Sequence, residues 1–313
     1  MEVFGPATSR SGRVAVVRTA ARGATRLTAR VTTGVRMLPT FLIVGAKRSG
    51  STSLFEYVSS HPGVSPCHVK KGTHYFDVNF GRGWRWFRSS FPVAVPRKIT
   101  GEASPYYMFH PLAATRIAAA LPAARLIAVL RDPVTRAYSH YQYERRRGFE
   151  DLSLDEALDR EEERLAGEAE RMVADPTYAS FEHRHHAYLA RGRYAEQLEA
   201  IRALFPADQL LVVQSEAMFA DPNAAIGPVW DFLGLPSHTL GNVQAFKAGS
   251  YDAIPERVRG RLGAYYAEPN ERLYALPGIN FRWPHVATAT PSTLPAQAGL
   301  SEEPSLARNS ADG

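Results

Sequence analysis

Cysteine is nearly absent: Cys67 is the only one in 313 residues. Intrachain disulfides are therefore excluded, and so is any cysteine cluster for zinc or iron–sulfur. A reducing, cytoplasmic location is expected. No uninterrupted apolar run is long enough to span a bilayer, and the N-terminal region lacks the compact apolar core of a secretory signal. No internal repeat is found. Acidic residues are scarce at the start: residues 1–36 hold Arg10, Arg13, Arg18, Arg22, Arg26, Arg30 and Arg36 against Glu2 alone. That segment carries 7 − 1 = +6, the whole formal net charge of +6, so the remainder is close to neutral. Three readings of it stay open: a disordered or helical basic tail, an arm for peripheral contact with an anionic membrane or polymer, or an over-long reading frame whose true start is Met37.

What remains has an ordinary soluble composition, 45% hydrophobic and 22% charged, enough for one large α/β domain. The stretch on which its organisation turns is Phe41-Leu42-Ile43-Val44-Gly45-Ala46-Lys47-Arg48-Ser49-Gly50-Ser51-Thr52-Ser53-Leu54. A β-branched run reads as a buried strand, a loop bracketed by Gly45 and Gly50 follows, and helix is predicted from Thr52 to Ser60. Unpaired N–H groups and the helix dipole make such a junction an anion site. Lys47 and Arg48 add charge, and Ser49, Ser51, Thr52 and Ser53 add hydroxyls. The Walker pattern requires lysine directly after the second glycine. Ser51 stands there instead, which disfavours a triphosphate with Mg²⁺.

Further buried strands are predicted at Arg125–Leu130 and Gln209–Gln214, with shorter ones at residues 64–67 and Lys98–Glu102. Helices are expected at Pro111–Leu121, Arg136–Arg147, Tyr194–Leu204, Ile226–Leu233, Pro255–Tyr266 and Asn270–Leu276. The charged run 151–172 reads as a solvated helical face, and His183, His185 and His186 as solvated too. The aromatic stretch from Phe80 to Phe91 reads as a packed lid or core. Strands alternating with helices predict an α/β, three-layer, P-loop-like fold with a central, mostly parallel sheet flanked by helices. Residues 37–284 form its domain, with a tail before it and a disordered tail over 285–313. Ligands of such sheets bind at the carboxyl ends of strands, where both Gly45–Ser53 and Arg131–Ser139 fall. Arg131 closes a strand and Ser139 lies eight residues on, so together they are placed to grip one phosphate. Taken alone, Arg131 pairing with Asp132 is an equal alternative.

Phe41–Leu54 resembles the 5′-phosphosulfate loop, and Arg125–Tyr141 the 3′-phosphate segment, of sulfotransferases that use PAPS (3′-phosphoadenosine 5′-phosphosulfate). The likeness is to the branch holding heparan sulfate N- and 3-O-sulfotransferase domains and their bacterial relatives, and it runs from about Leu38 to Trp283. It implies transfer of a sulfuryl group from PAPS to a hydroxyl, less readily an amine, of a carbohydrate or small-molecule acceptor, with adenosine 3′,5′-bisphosphate released and no metal required. Nucleic acid is not an expected partner. Arg48 falls where the family has its catalytic lysine, and arginine keeps the charge without serving as a proton donor; Lys47 is an alternative donor. The resemblance assigns Ser49, Gly50, Ser51, Thr52 and Ser53 to the 5′-phosphate, Arg131 and Ser139 to the 3′-phosphate, and Lys247 to a loop over it. In Lys71–Asp77 the family's glutamate after the lysine is replaced by Gly72. The base role is therefore moved to His74, oriented by Asp77, with Glu102 as the alternative. Tyr106, Tyr107, Trp84 and Trp86 are read as core before acceptor-stacking residues. A P-loop kinase or NTPase, and an inactive PAPS-binding module, are the competing functions.

Overall fold

A computed structural model describes residues 32–68, 71–241 and 253–284. Four parallel strands form its sheet: β1 (Phe41–Gly45), β2 (Gly101–Ala103), β3 (Arg125–Leu130) and β4 (Leu210–Gln214), in the order β2-β1-β3-β4. Every residue of β1 is buried, as are the last five of β3. Such unbroken apolar runs follow when helices cover both faces of a parallel sheet. The result is the α/β, P-loop-like arrangement that the alternation implies. The order places β1 and β3 side by side at its centre, so the loops leaving their carboxyl ends are neighbours.

The helix Ser51–Ser59 leaves β1 through Gly50, whose φ of 96° favours glycine. A Cβ there would also approach Met218 and Phe219 at 2.8 and 3.0 Å. The helix Pro133–Arg146 follows β3, with Pro133 in its first turn and Asp132 accepting from the Val134 amide at 3.0 Å. That combination supplies a cap and a preset φ. A second apolar cluster, built on Val134, Tyr141, Leu158, Tyr188, Leu262 and Tyr266, seats this helix against the helix Glu256–Tyr274.

Several expectations are corrected. Residues 64–67 form no strand; Val64 makes one isolated bridge to Ile99. The two late helices are one, running through Pro269, because Leu262, Tyr266 and Leu273 are buried on both sides of the proline. The acidic run breaks into three short helices, Leu154–Asp159, Glu161–Leu165 and Glu168–Ala174. Glu161 is not solvated: it is buried and accepts the Leu189 and Ala190 amides at 2.6 and 2.8 Å. Burial pushes its carboxyl up to about 7. His183, His185 and His186 are likewise buried. Tyr106 Oη meets His183 Nδ1 at 2.8 Å, His185 Nδ1 meets Glu144 at 3.1 Å, and His186 Nε2 meets the Phe149 carbonyl at 2.7 Å.

Of the aromatic stretch, Phe87 and Phe91 are core, Trp84 and Trp86 are half-buried against it and Phe80 is exposed; Tyr75 stacks on Phe87 at 4.6 Å, and Phe87 meets Phe76 and Phe91 edge-on. The end of the basic segment is anchored, since Arg36 bridges Val93 and donates to the Phe91 carbonyl at 2.5 Å. Residues 1–31, the stretch from 285 onward and Lys247 lie outside the described residues. No helix among the described residues is long and apolar enough to cross a membrane.

Candidate functional site

The carboxyl ends of β1 and β3 open into a cleft of about 890 Å³. Its walls include Lys47, Arg48, Lys71, Arg131, Arg146, Arg147, Arg184 and Arg191, and no Asp or Glu is among the described residues lining it. Lys47 and Arg147 are paired with Glu144 behind the wall, and the other six cations make a positive recess, which focuses field on an anion. The first N–H groups of the helix Ser51–Ser59 point the same way by construction. Gly50, Ser51, Thr52 and Ser53 border the cleft, whereas Ser49 is wholly buried beneath the loop.

The two distant anion segments touch. Arg48 donates from Nε to Ser139 Oγ at 3.2 Å, and Arg131 Nη1 lies 3.5 Å from the Arg48 carbonyl. Arg131 is not paired with Asp132; its Nε donates to Thr135 Oγ1 at 3.0 Å. Thr135, on the first turn after β3, thus aims the guanidinium toward the loop. Arg48 holds a positive φ of 72° and stacks over the Tyr143 ring at 4.7 Å. A left-handed arginine in a loop is strained backbone of the kind that persists at functional sites. Ser139 is buried and is reached through Arg48 rather than lining the cleft itself.

Lys47 turns inward. Its ammonium donates to Glu144 Oε1 at 2.6 Å and to the Arg184 carbonyl at 3.2 Å. Burial, then the charge of Arg191, lowers its pKa well below the ordinary value, against the pull of Glu144. Glu144 is itself buried; burial raises its pKa, but His140, His185 and Lys47 outweigh that and hold it low.

Opposite the loop stands the segment 71–77. His74 Nδ1 meets Asp77 Oδ2 at 2.7 Å, leaving Nε2 as the nitrogen with no such partner in that pair. Asp77 is buried and accepts from the Val78 amide at 2.5 Å, while the His74 side chain remains 34% exposed and borders the cleft. His74 also has a positive φ, 51°, with its amide donating to Ser104 Oγ at 3.0 Å.

Glu102 does not reach the cleft. It is fully buried, accepting from Tyr107 Oη at 2.7 Å and from the Thr73 amide through a short bond. Burial raises its pKa, partly offset by those bonds. Its place is under the loop, where it fixes Thr73 beside His74. Gly72 has a steric cause: a Cβ there would sit 2.2 Å from the Ala103 carbonyl oxygen and 2.4 Å from Ser104 Oγ. The loop passes so close to the end of β2 that no side chain fits. Of the four aromatics, Tyr106 alone is among the residues that border the cleft.

Lys71, Arg184 and Arg191 received no site role from sequence reasoning. Lys71 spans the cleft mouth, donating to Ser51 Oγ at 3.2 Å and Thr52 Oγ1 at 2.7 Å. Burial and then the Arg48 charge lower its pKa to about 8. Its adjacency to Gly72 in the same motif was the available signal. Arg184 and Arg191 had none, because they arrive from a helical segment far along the chain. Arg191 is buried over the Tyr106 and Phe109 rings at 4.6 and 4.7 Å.

The sulfotransferase domain model matches residues 38–252. Human heparan sulfate glucosamine 3-O-sulfotransferase 3B1 is 30% identical over 282 residues, covering 80% of this chain and 66% of its own length. The human 3A1 protein is 29% identical over 282 residues, covering 80% and 63%. The chain thus spans slightly less than two thirds of these relatives. Membrane-associated sulfotransferase kil1 of Dictyostelium discoideum is 25% identical over 315 residues, covering 79% and 66%. The crystal structure of a sulfotransferase from Alicyclobacillus acidocaldarius superposes with a TM-score of 0.63 at 29% identity, covering 76% of this chain and 95% of that one. With the family model spanning well over half of its length, this chain belongs to the sulfotransferase domain family.

Proposed function

We propose that this protein transfers the sulfuryl group of PAPS to a hydroxyl, less readily an amine, of a carbohydrate or small-molecule acceptor, releasing adenosine 3′,5′-bisphosphate. The observation that carries this reading is the junction of Arg48, Ser139 and Arg131 in a cleft whose described lining residues include eight cations and no carboxylate. That donor set fits a polyanionic nucleotide with phosphates on both the 3′ and 5′ sides of its ribose. Charged donors, hydroxyls and helix N–H groups supply anion contacts, and no acid is among the described residues lining the cleft.

PAPS, when bound, supplies a sulfuryl group already activated as a phosphosulfate anhydride. Ser51, Thr52 and Ser53, with the helix N–H groups, hold the 5′-phosphate. Arg131 holds the 3′-phosphate, and Ser139, buried behind the cleft, holds Arg48 in position rather than touching that phosphate. Arg48 stabilises charge building on the phosphate side as the S–O bond breaks. Fixed donors of this kind contribute on the order of 3–4 kcal/mol each. Lys47, tied to Glu144, shapes the field from behind. On the acceptor side, His74 Nε2 accepts the hydroxyl proton while Asp77 keeps Nδ1 protonated and the ring oriented. The acceptor oxygen gains the sulfuryl group, its proton moves to His74, and the former bridging oxygen stays on the bisphosphate.

The lysine missing at Ser51 argues against a kinase or NTPase. An inactive binding module is the reading that Gly72 suggests, and the His74–Asp77 pair speaks for catalysis instead. The test combines thermal shifts with acceptor screening using labelled PAPS. Adenosine 3′,5′-bisphosphate is expected to stabilise the protein and ATP–Mg²⁺ to leave it unchanged; a ligand at a hundred times its Kd adds about 2.7 kcal/mol. Stabilisation by ATP–Mg²⁺ alone refutes the assignment, and bisphosphate binding without turnover on any acceptor leaves the module.

A further inference from the structure

Away from the cleft, the segment entering β1 and the segment entering β2 are laced together. Met37 donates to the Pro92 carbonyl at 2.9 Å and Ala94 to the Val35 carbonyl at 2.8 Å, while Arg88 donates to the Gly34 and Arg36 carbonyls. This ribbon carries four large apolar side chains in solvent: Val35 at 57%, Leu38 at 38%, Val93 at 49% and Val95 at 42% exposure. They make up four of the ten exposed large hydrophobic residues among those described. Scattered single residues of this kind need no explanation, but a group on one ribbon does.

Its charge is one-sided. Between Asp77 and Glu102 the sequence holds Arg82, Arg85, Arg88, Arg97 and Lys98 and no acid, and between Glu2 and Glu56 there is none either. Residues 93–98 are exposed throughout. Leu38 lies three residues before β1, and Lys98 three before β2. The ribbon therefore sits at the amino-terminal edge of the sheet, whereas the cleft lies at the carboxyl-terminal edge.

We propose that this ribbon is a docking surface for an anionic lipid bilayer, with Val35, Leu38, Val93 and Val95 entering the headgroup region and the exposed Arg97 and Lys98 meeting lipid phosphates. Aliphatic side chains in solvent on segments that carry cations and no acid of their own fit an interface that is apolar below and negative above, with Asp208 the acid nearest them, beside Thr40 and Ile99. A soluble polyanion would use the cations and leave the valines exposed, so the valines favour a bilayer. The polarity of the fold turns the cleft away from the surface, leaving it open to the aqueous side. This surface is independent of the reaction assigned to the cleft.

The test is vesicle co-sedimentation of the full-length chain with phosphatidylcholine alone and with 30% phosphatidylglycerol added. Binding is expected only with the anionic lipid and is expected to weaken with salt. Arg97→Gln with Lys98→Gln, which removes two cations, is expected to reduce partitioning by roughly thirtyfold, since each cation near such a surface contributes about a factor of five. Val93→Ser with Val95→Ser, which keeps every charge, is expected to reduce it by roughly tenfold. All four positions are exposed, and an unchanged thermal shift with adenosine 3′,5′-bisphosphate verifies that each variant is folded. Vesicle binding that survives both double substitutions overturns the proposal, because the basic segment before residue 32 then carries it alone. Binding that ignores the valines and transfers equally to soluble heparin also overturns it, in favour of a polyanion site.

Discussion

Arg48 and Ser139, 91 residues apart, are joined by a hydrogen bond of 3.2 Å between guanidinium Nε and hydroxyl. That bond fastens the loop after β1 to the helix after β3. Each partner therefore reports on the other, and on Arg131 beside them.

Arg131→Ala is expected to weaken adenosine 3′,5′-bisphosphate binding by roughly ten- to a hundredfold, the range for losing a charged hydrogen bond of about 1.5–3 kcal/mol. Isothermal calorimetry measures it. Unchanged affinity removes Arg131 from the site. Arg48→Ala is expected to cost turnover more than affinity, and equal losses would reduce Arg48 to a binding residue.

His74→Ala and Glu102→Gln separate a base from its support. The first is expected to lower turnover by at least about a hundredfold, as for a lost general base, with bisphosphate affinity unchanged. Glu102→Gln retains an oxygen for the Thr73 amide, so turnover is expected to stay within about tenfold of the parent while thermal stability falls, because a buried bond is weakened. The opposite ranking in a steady-state assay would return the base role to Glu102.

Restoring the family's acid by Gly72→Glu is expected to fail. The new Cβ would meet the Ala103 carbonyl, and overpacking of this kind costs about 1–3 kcal/mol. A fall in Tm of several degrees without gain in activity is the expected result. A stable, faster variant would show that the loop has room to move.

Lys71 sets a pH dependence. Its pKa is lowered to about 8 by burial and by Arg48. The charge that attracts an anion is thus full below pH 8 and is lost as pH rises through that value. The Kd of the bisphosphate is expected to rise between pH 7 and 9.5 in the parent and to stay flat, though weaker throughout, in Lys71→Met. Identical slopes in both proteins would exclude Lys71. The same lowered pKa makes folding stability rise with pH between about 8 and 10.4, where the unfolded chain holds the extra proton.

The strands were legible because β1 and β3 are unbroken apolar runs closed by Gly45 and Arg131, a pattern that burial on both faces imposes. The loop at Lys47–Ser53 was legible because its chemistry is local in sequence. Lys71 was half visible, in a motif whose other members drew attention to themselves.

Composition and spacing by themselves determined the parallel sheet, the glycine loop without a Walker lysine, and the two anion segments at strand ends. Only the tertiary structure decided that Arg48 holds Ser139, that Glu102 lies beneath the loop, that Gly72 is forced by the Ala103 carbonyl, and that three histidines are buried. The division has one physical reason. A strand or a helix cap is specified by residues within a few positions of each other. The depth of a side chain, and which backbone passes within 3 Å of it, is set by segments that the sequence separates widely and the sheet order brings together.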